Sequence, residues 1–139
     1  MKDSLLEPES RLPADILQRA TLRGNEYAWK RADLSMLFAA AETAGIANLG
    51  GQVQFRVPGG TCELYWQSFD SSGRRPGETA ESWVSRSRQE AEATLLRIPS
   101  DAELVAEGLA QFDFLRGKAA EGVDVKEALC FVCYFAVPD

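Results

Sequence analysis

The segment ALCFVCYFAV, residues 128–137, constrains the fold more than any other. It is apolar at both even and odd positions. A strand with one face in water alternates; a strand apolar on both parities lies inside a sheet and is covered on both sides. The run is too short for a membrane helix, which needs roughly 20 apolar residues. The chain must therefore supply strands to flank this segment and helices to cover it. At 139 residues it has room for one domain with a real core and not for two ordinary ones.

Two flanking strands are legible as a hairpin. In QVQFRV, Val53, Phe55 and Val57 point one way and Gln52, Gln54 and Arg56 the other. In CELYWQSF, Cys62, Leu64 and Trp66 share one face; Glu63, Tyr65 and Gln67 share its opposite. A two-residue loop at Gly59 and Gly60 pairs Val57 with Cys62, Phe55 with Leu64 and Val53 with Trp66. The other face then pairs Arg56 with Glu63, Gln54 with Tyr65 and Gln52 with Gln67, and both faces are chemically uniform. EYAWK, 26–30, is a further short strand.

Helical spacing marks the covering layer. RLPADILQRATL is a short helix with Leu12, Ile16, Leu17 and Ala20 on one face, ended by Gly24 and Asn25. RADLSMLFAAAETAG carries Leu34, Leu37, Phe38 and Ala41, with Gly45 placed to close it and Ile46 to pack back. The segment 78–98 buries a stripe of Trp83, Val84, Ser87, Ala91, Leu95 and Ile98 before Pro99. Ser100 and Glu103 form a capping box for a helix through about Arg116. RGKAAEGVDVKE is expected as loop, and residues 1–10 as loosely held. The expected class is α+β: a small, mainly antiparallel sheet of about four strands packed with helices in one domain, 1–139.

Composition removes several mechanisms. Histidine is absent, which excludes Ser-His-Asp and Cys-His catalysis. The net charge of −6 opposes nucleic-acid binding, which rests on Lys and Arg, and suits a basic protein partner. MKDSLLEPES is too polar for a signal peptide, so a cytoplasmic location is expected, with no membrane span. The three cysteines, Cys62, Cys130 and Cys133, are an odd number, as expected of reduced thiols. Cys130 and Cys133 form a C-x-x-C, but three residues apart in a strand they project to opposite faces. No metal site and no cofactor are expected.

Gly50 and Gly51 in LGGQV lead into a strand. Anion loops lead into a helix N-terminus, so the pair reads as a bulge or bend. Arg74-Arg75-Pro76-Gly77 does precede a helix and resembles the acyl-CoA loop of N-acetyltransferases, with Thr79 where that pattern has a small residue. A small-molecule or acyl-CoA binding enzyme using this loop is the alternative reading. Glu78, Glu81, Glu90 and Glu92 lie beside Arg86, Arg88 and Arg97 at spacings typical of helix-surface ion pairs. The polar hairpin face, with Gln54, Arg56, Glu63, Tyr65 and Gln67, has the mixed Tyr, Arg and amide character of recognition surfaces.

Over residues 27–98 the order of motifs is YAWK, a helix ending in AGI, xLGGxV, a hairpin with YW, a loop with PGE and a helix with SWVxRS. This resembles a family of immunity proteins from bacterial polymorphic toxin systems. The matching positions are Trp29, Gly45, Leu49, Gly50, Gly51, Val53, Trp66, Gly77, Glu78, Trp83, Val84 and Ser87; Gln52 stands where the family has an acid. The resemblance implies a non-enzymatic protein that neutralises a cognate toxin by direct binding. On that reading the partner surface is the hairpin face, Gln54, Arg56, Glu63, Tyr65 and Gln67, with the loop residues Arg74, Arg75 and Glu78.

Overall fold

The computed structural model describes residues 8–139. Its sheet has five strands: β1 (Thr21–Arg23), β2 (Glu26–Trp29), β3 (Ala47–Val57), β4 (Gly60–Ser68) and β5 (Leu129–Ala136). Their spatial order is β1-β2-β5-β3-β4 and every pairing is antiparallel. The chain is therefore a single α+β unit. The doubly apolar C-terminal segment is the middle strand.

Six helices accompany the sheet: α1 (Ala14–Gln18), α2 (Arg31–Thr43), α3 (Ala80–Leu95), α4 (Asp101–Gln111), α5 (Asp113–Ala120) and α6 (Val125–Ala128). Side chains from α1 to α5 meet the inward residues of β3, β4 and β5 in one core. Leu129, Phe131, Cys133 and Phe135 are the contribution of β5. The opposite parity, Cys130 and Val132, packs with Ala28 and Tyr134 in a separate cluster made of strand residues alone.

Local chemistry explains the helix ends. Gly45 has φ 74°. Its N–H donates to the Glu42 carbonyl at 3.0 Å and that of Ile46 to Ala41 at 3.1 Å, a Schellman closure with Ile46 folded back on the core. Ser100 and Glu103 form the expected capping box. The helix it starts breaks at Phe112, whose φ of −117° and ψ of 110° are extended. The chain restarts at once as α5, so the segment expected as loop, 116–127, is mostly helical. Asp124 caps α6 by accepting from the Lys126 and Glu127 amides.

The N-terminal expectations need correction. Gly24 and Asn25 do not end a helix; α1 stops at Gln18, and Gly24, at φ 63°, turns the β1–β2 hairpin. Thr21 and Leu22 are strand because they pair with Ala28 and Tyr27. Residues 8–10 belong to a 3-10 turn, Pro8–Arg11; the remainder of the expected loose stretch lies outside the described residues.

The β3–β4 register is displaced by two residues from expectation. Val57 faces Gly60, Phe55 faces Cys62 and Val53 faces Leu64. The loop is Pro58-Gly59, because proline presets the first turn angle and glycine takes the positive second one, φ 86° here. A shift of two preserves parity, so Phe55, Cys62 and Leu64 still point inward. Beyond Leu64 the parity fails. Gln52 faces Ser68, so Tyr65, Trp66 and Gln67 have no opposite residue on β3.

Gly50 and Gly51 lie where this happens. Gly50 has φ 97° and adjoins a second bulge, at Leu49, against β5. A Cβ on Gly51 would lie 1.8 Å from the Val132 carbonyl oxygen; one on Gly50 would lie 2.3 Å from that of Phe69. The pair is therefore squeezed between two neighbouring backbones. Gly51 and Phe69 exchange backbone hydrogen bonds at 3.1 and 3.3 Å, which restores the ladder past the bulge.

Gly51→Ala is expected to cost at least about 3 kcal/mol, the upper range for overpacking, because the obstacle is backbone. Gly45→Ala has open space around it and should cost only the left-handed backbone term, about 1–2 kcal/mol. Urea titration of both variants checks the contrast. The cysteines offer a second check. All three are free and buried, and burial raises the thiol pKa of Cys62, Cys130 and, furthest, Cys133. A thiol reagent should leave them unmodified in the folded protein and modify all three in urea.

Candidate partner-binding surface

The hairpin face expected to be open is roofed by another part of the sheet. In a flat sheet β1 and β4, four places apart, would be separated by roughly 19 Å. Instead Arg23 on β1 donates to the Gly60 carbonyl at 2.7 Å and to Thr61 Oγ1 at 3.0 Å. The sheet thus curls toward the face away from the helices. Arg56 on β3 holds the curl, donating to the Thr21 carbonyl at 2.9 Å and the Glu26 carbonyl at 3.0 Å.

Beneath this roof runs a polar chain. Arg56 Nε donates to Gln54 Oε1 at 3.2 Å, and Gln54 Nε2 to Glu63 Oε1 at 2.8 Å. Gln52, with its amide nitrogen toward Glu63, donates to both carboxylate oxygens at 3.1 and 2.8 Å. Tyr134 donates to Glu26 Oε2 at 2.8 Å. Burial, then this bond to a carboxylate, raises the Tyr134 pKa. Gln54 is only 4% exposed. Gln54 and Arg56 therefore hold the fold together rather than offering a surface.

The bulge redistributes the aromatic residues. Tyr65 is 77% exposed and Trp66, expected in the core, is 41% exposed. Their rings meet edge to face at 5.1 Å. Trp66 stacks on Phe112 at 6.1 Å and donates from Nε1 to Glu107 Oε1 at 2.7 Å. Gln67, expected beside Glu63 and Tyr65, instead donates to Glu107 at 3.0 and 3.2 Å. The three inserted residues carry it across to α4. Glu107 is the residue the sequence reading missed, and only the bulge brings it to Trp66.

The loop residues form a different group. Arg86 on α3 donates to both Glu78 oxygens at 2.7 Å and to Glu90 Oε2 at 3.0 Å. It also donates to the Gly73 carbonyl at 2.9 Å and Ser72 Oγ at 2.7 Å. Arg75 lies 3.8 Å from Glu90, and Arg74 stacks 5.8 Å from the Trp83 ring. The Arg75 backbone N–H donates to Glu78 Oε1 at 2.9 Å. The anion position of this turn is therefore filled by the chain's own carboxylate. Among the described residues no hydrogen bond or ion pair joins this group to the hairpin residues. Nor do three His, Cys, Asp or Glu side chains among them gather as a metal ion would require. None of their helices is long and apolar enough to cross a membrane.

The Arg86 hydrogen bonds hold the Glu78 carboxyl down, from 4.5 to about 2. A depressed carboxylate stabilises above its ordinary value and loses that contribution as pH falls through the folded one. Protection of the 71–79 amides in hydrogen exchange should therefore decline between pH 4.5 and about 2. Glu78→Gln should remove most of that pH dependence. An unchanged profile in the variant would show that Arg86 does not fasten the loop through Glu78.

Comparisons with protein-family models, with curated proteins and with solved structures gave no match for this chain.

Proposed function

We propose that the chain is a non-enzymatic binding protein of the immunity kind, which neutralises a cognate bacterial toxin by covering it. The observation that carries this reading is Tyr65, 77% exposed beside Trp66 on an edge strand. Two large aromatic rings in water are unfavourable for an isolated protein and typical of an interface anchor. The sequence resemblance over 27–98 supplies the class of partner. The three thiols are buried, and Glu78 and Glu90 are committed to Arg86. The contact surface on this reading is centred on Tyr65 and Trp66, with Glu63 at its margin.

The reading requires a toxin-like open reading frame beside the gene, and co-expression with that frame tests it. Growth arrest should be relieved, and the two proteins should copurify. Tyr65→Ala should weaken the purified complex by about 2 kcal/mol or more, as for a hot spot, with the melting temperature unchanged. Unrelieved arrest, together with coenzyme A found on the native protein by mass spectrometry, would reject it.

A further inference from the structure

Most described cations are already engaged. Arg19 pairs with Asp33, Arg31 with Asp101, Arg88 with Glu42 and Glu92, and Lys118 with Glu121. Three carboxylates at the bulged end of β4 are held differently. Glu63 accepts from glutamine amides, Asp70 from Ser68, and Glu107 from Trp66 and Gln67. Every one of these donors is neutral, and none of the three carboxylates has a cationic partner among the described residues. Of the three, Glu107 is bonded to Trp66 and Glu63 precedes Tyr65 by two residues on the same strand. No described cation lies over Tyr65; Arg31, Arg74 and Lys118 stack on Phe131, Trp83 and Phe114 instead.

The outer edge of β4 does not favour addition of another strand. Three consecutive residues without partners interrupt it, a device that ends edge pairing and re-aims side chains. Recognition here must run through side chains. An electron-rich ring face bordered by carboxylates suits a cation with an extended apolar stem. We propose that Tyr65, with Glu63 two residues before it on β4 and Glu107 bonded to its neighbour Trp66, is the seat for an arginine or lysine side chain of a basic protein partner. This rests on the binding reading above and adds the chemistry of what is bound. Positive charge lies toward the other end of β4, where Arg23 reaches Gly60, so the partner is oriented with its basic side chain at the bulge.

The full-length protein can be titrated with the peptide acetyl-Gly-Arg-Gly-Arg-Gly-amide at low ionic strength. Trp66 serves as reporter, because Trp29 and Trp83 are buried. A saturable fluorescence change is expected. It should be lost when citrulline replaces arginine, and strongly weakened when ionic strength rises from about 0.01 M to about 0.5 M. Tyr65→Ala should weaken binding about three- to tenfold, and Tyr65→Phe should retain it. Glu63→Gln and Glu107→Gln should each weaken it while circular dichroism reports an unchanged fold. Equal binding of the citrulline peptide, or indifference to Tyr65→Ala, would overturn the proposal. So would a dimer that Tyr65→Ala dissolves in sedimentation, which would assign the surface to a second copy. If the toxin is neutralised with undiminished affinity by Tyr65→Ala, the cation seat fails and the immunity reading stands. If the peptide binds as described and the toxin is not neutralised, the immunity reading fails and the basic-partner surface stands.

Discussion

The close approach of Gly51 to the Val132 carbonyl oxygen sets the shape of the sheet. At that spacing no side chain fits on the β3 residue, and Gly50 beside it is pressed equally hard against Phe69. Two backbones can come this near only where β3 bends. The bend cannot be absorbed in one ladder alone, so it leaves an extra residue against β5 and three against β4. Those three are Tyr65, Trp66 and Gln67. The exposed aromatic knuckle is thus a geometric consequence of a glycine pair more than ten residues earlier in the chain.

The same bend accounts for how the non-helical face is closed. A curled sheet brings β1 over β3 and β4, and a flat one would leave Cys130, Val132 and Gln54 in water. The cover is polar on its outside and small inside: Ala28, Cys130 and Val132 form the floor, and Arg56 spans the gap with backbone acceptors on both β1 and β2. An arginine suits this task because its planar fork can satisfy several carbonyls at once while its stem lies on apolar surface. The chain from Arg56 through Gln54 and Glu63 leaves few polar atoms of this face unpaired. That completeness is what makes a buried glutamine tolerable there.

What was legible in the sequence follows from the range of the interactions. Helix ends were readable because their causes are local: the Ser100–Glu103 box and the Gly45 closure involve residues a few positions apart. The middle strand was readable because burial on both faces leaves a doubly apolar run. The inward set Val53, Phe55, Cys62 and Leu64 survived a register error of two, since parity is unchanged by an even shift. Several failures lie where a distant partner decides. Thr21 and Leu22 have helical neighbours but are strand because Ala28 and Tyr27 pair with them. Trp66 and Gln67 fit the alternation of CELYWQSF, and nothing in that stretch announces that Val132 and Phe69 force the ladder to skip. Phe112 breaks a helix that its own residue type would continue. The hairpin face expected to be open is therefore open only in part: Gln54 is buried, Arg56 reaches β1 and β2, Gln67 is bonded to Glu107, and Tyr65 is exposed.

An exposed tyrosine–tryptophan pair on an edge strand is an aggregation hazard for a protein in water. The surroundings of this pair answer the hazard. Unpaired residues deny a neighbouring strand its register, and Glu63 and Glu107 form no ion pair among the described residues. Two copies meeting knuckle to knuckle would bring four carboxylates together, and such like-charge juxtaposition is costly. A basic surface meets the reverse condition, since the same carboxylates raise its encounter rate and favour its docking. On the proposed reading one arrangement separates self from partner by sign of charge, while the rings supply contact area that either could have used. Discrimination of this kind needs the carboxylates to be anchored by neutral donors. Had Arg or Lys held them, as Arg86 holds Glu78 and Glu90, the rings would have kept their area and lost their selectivity.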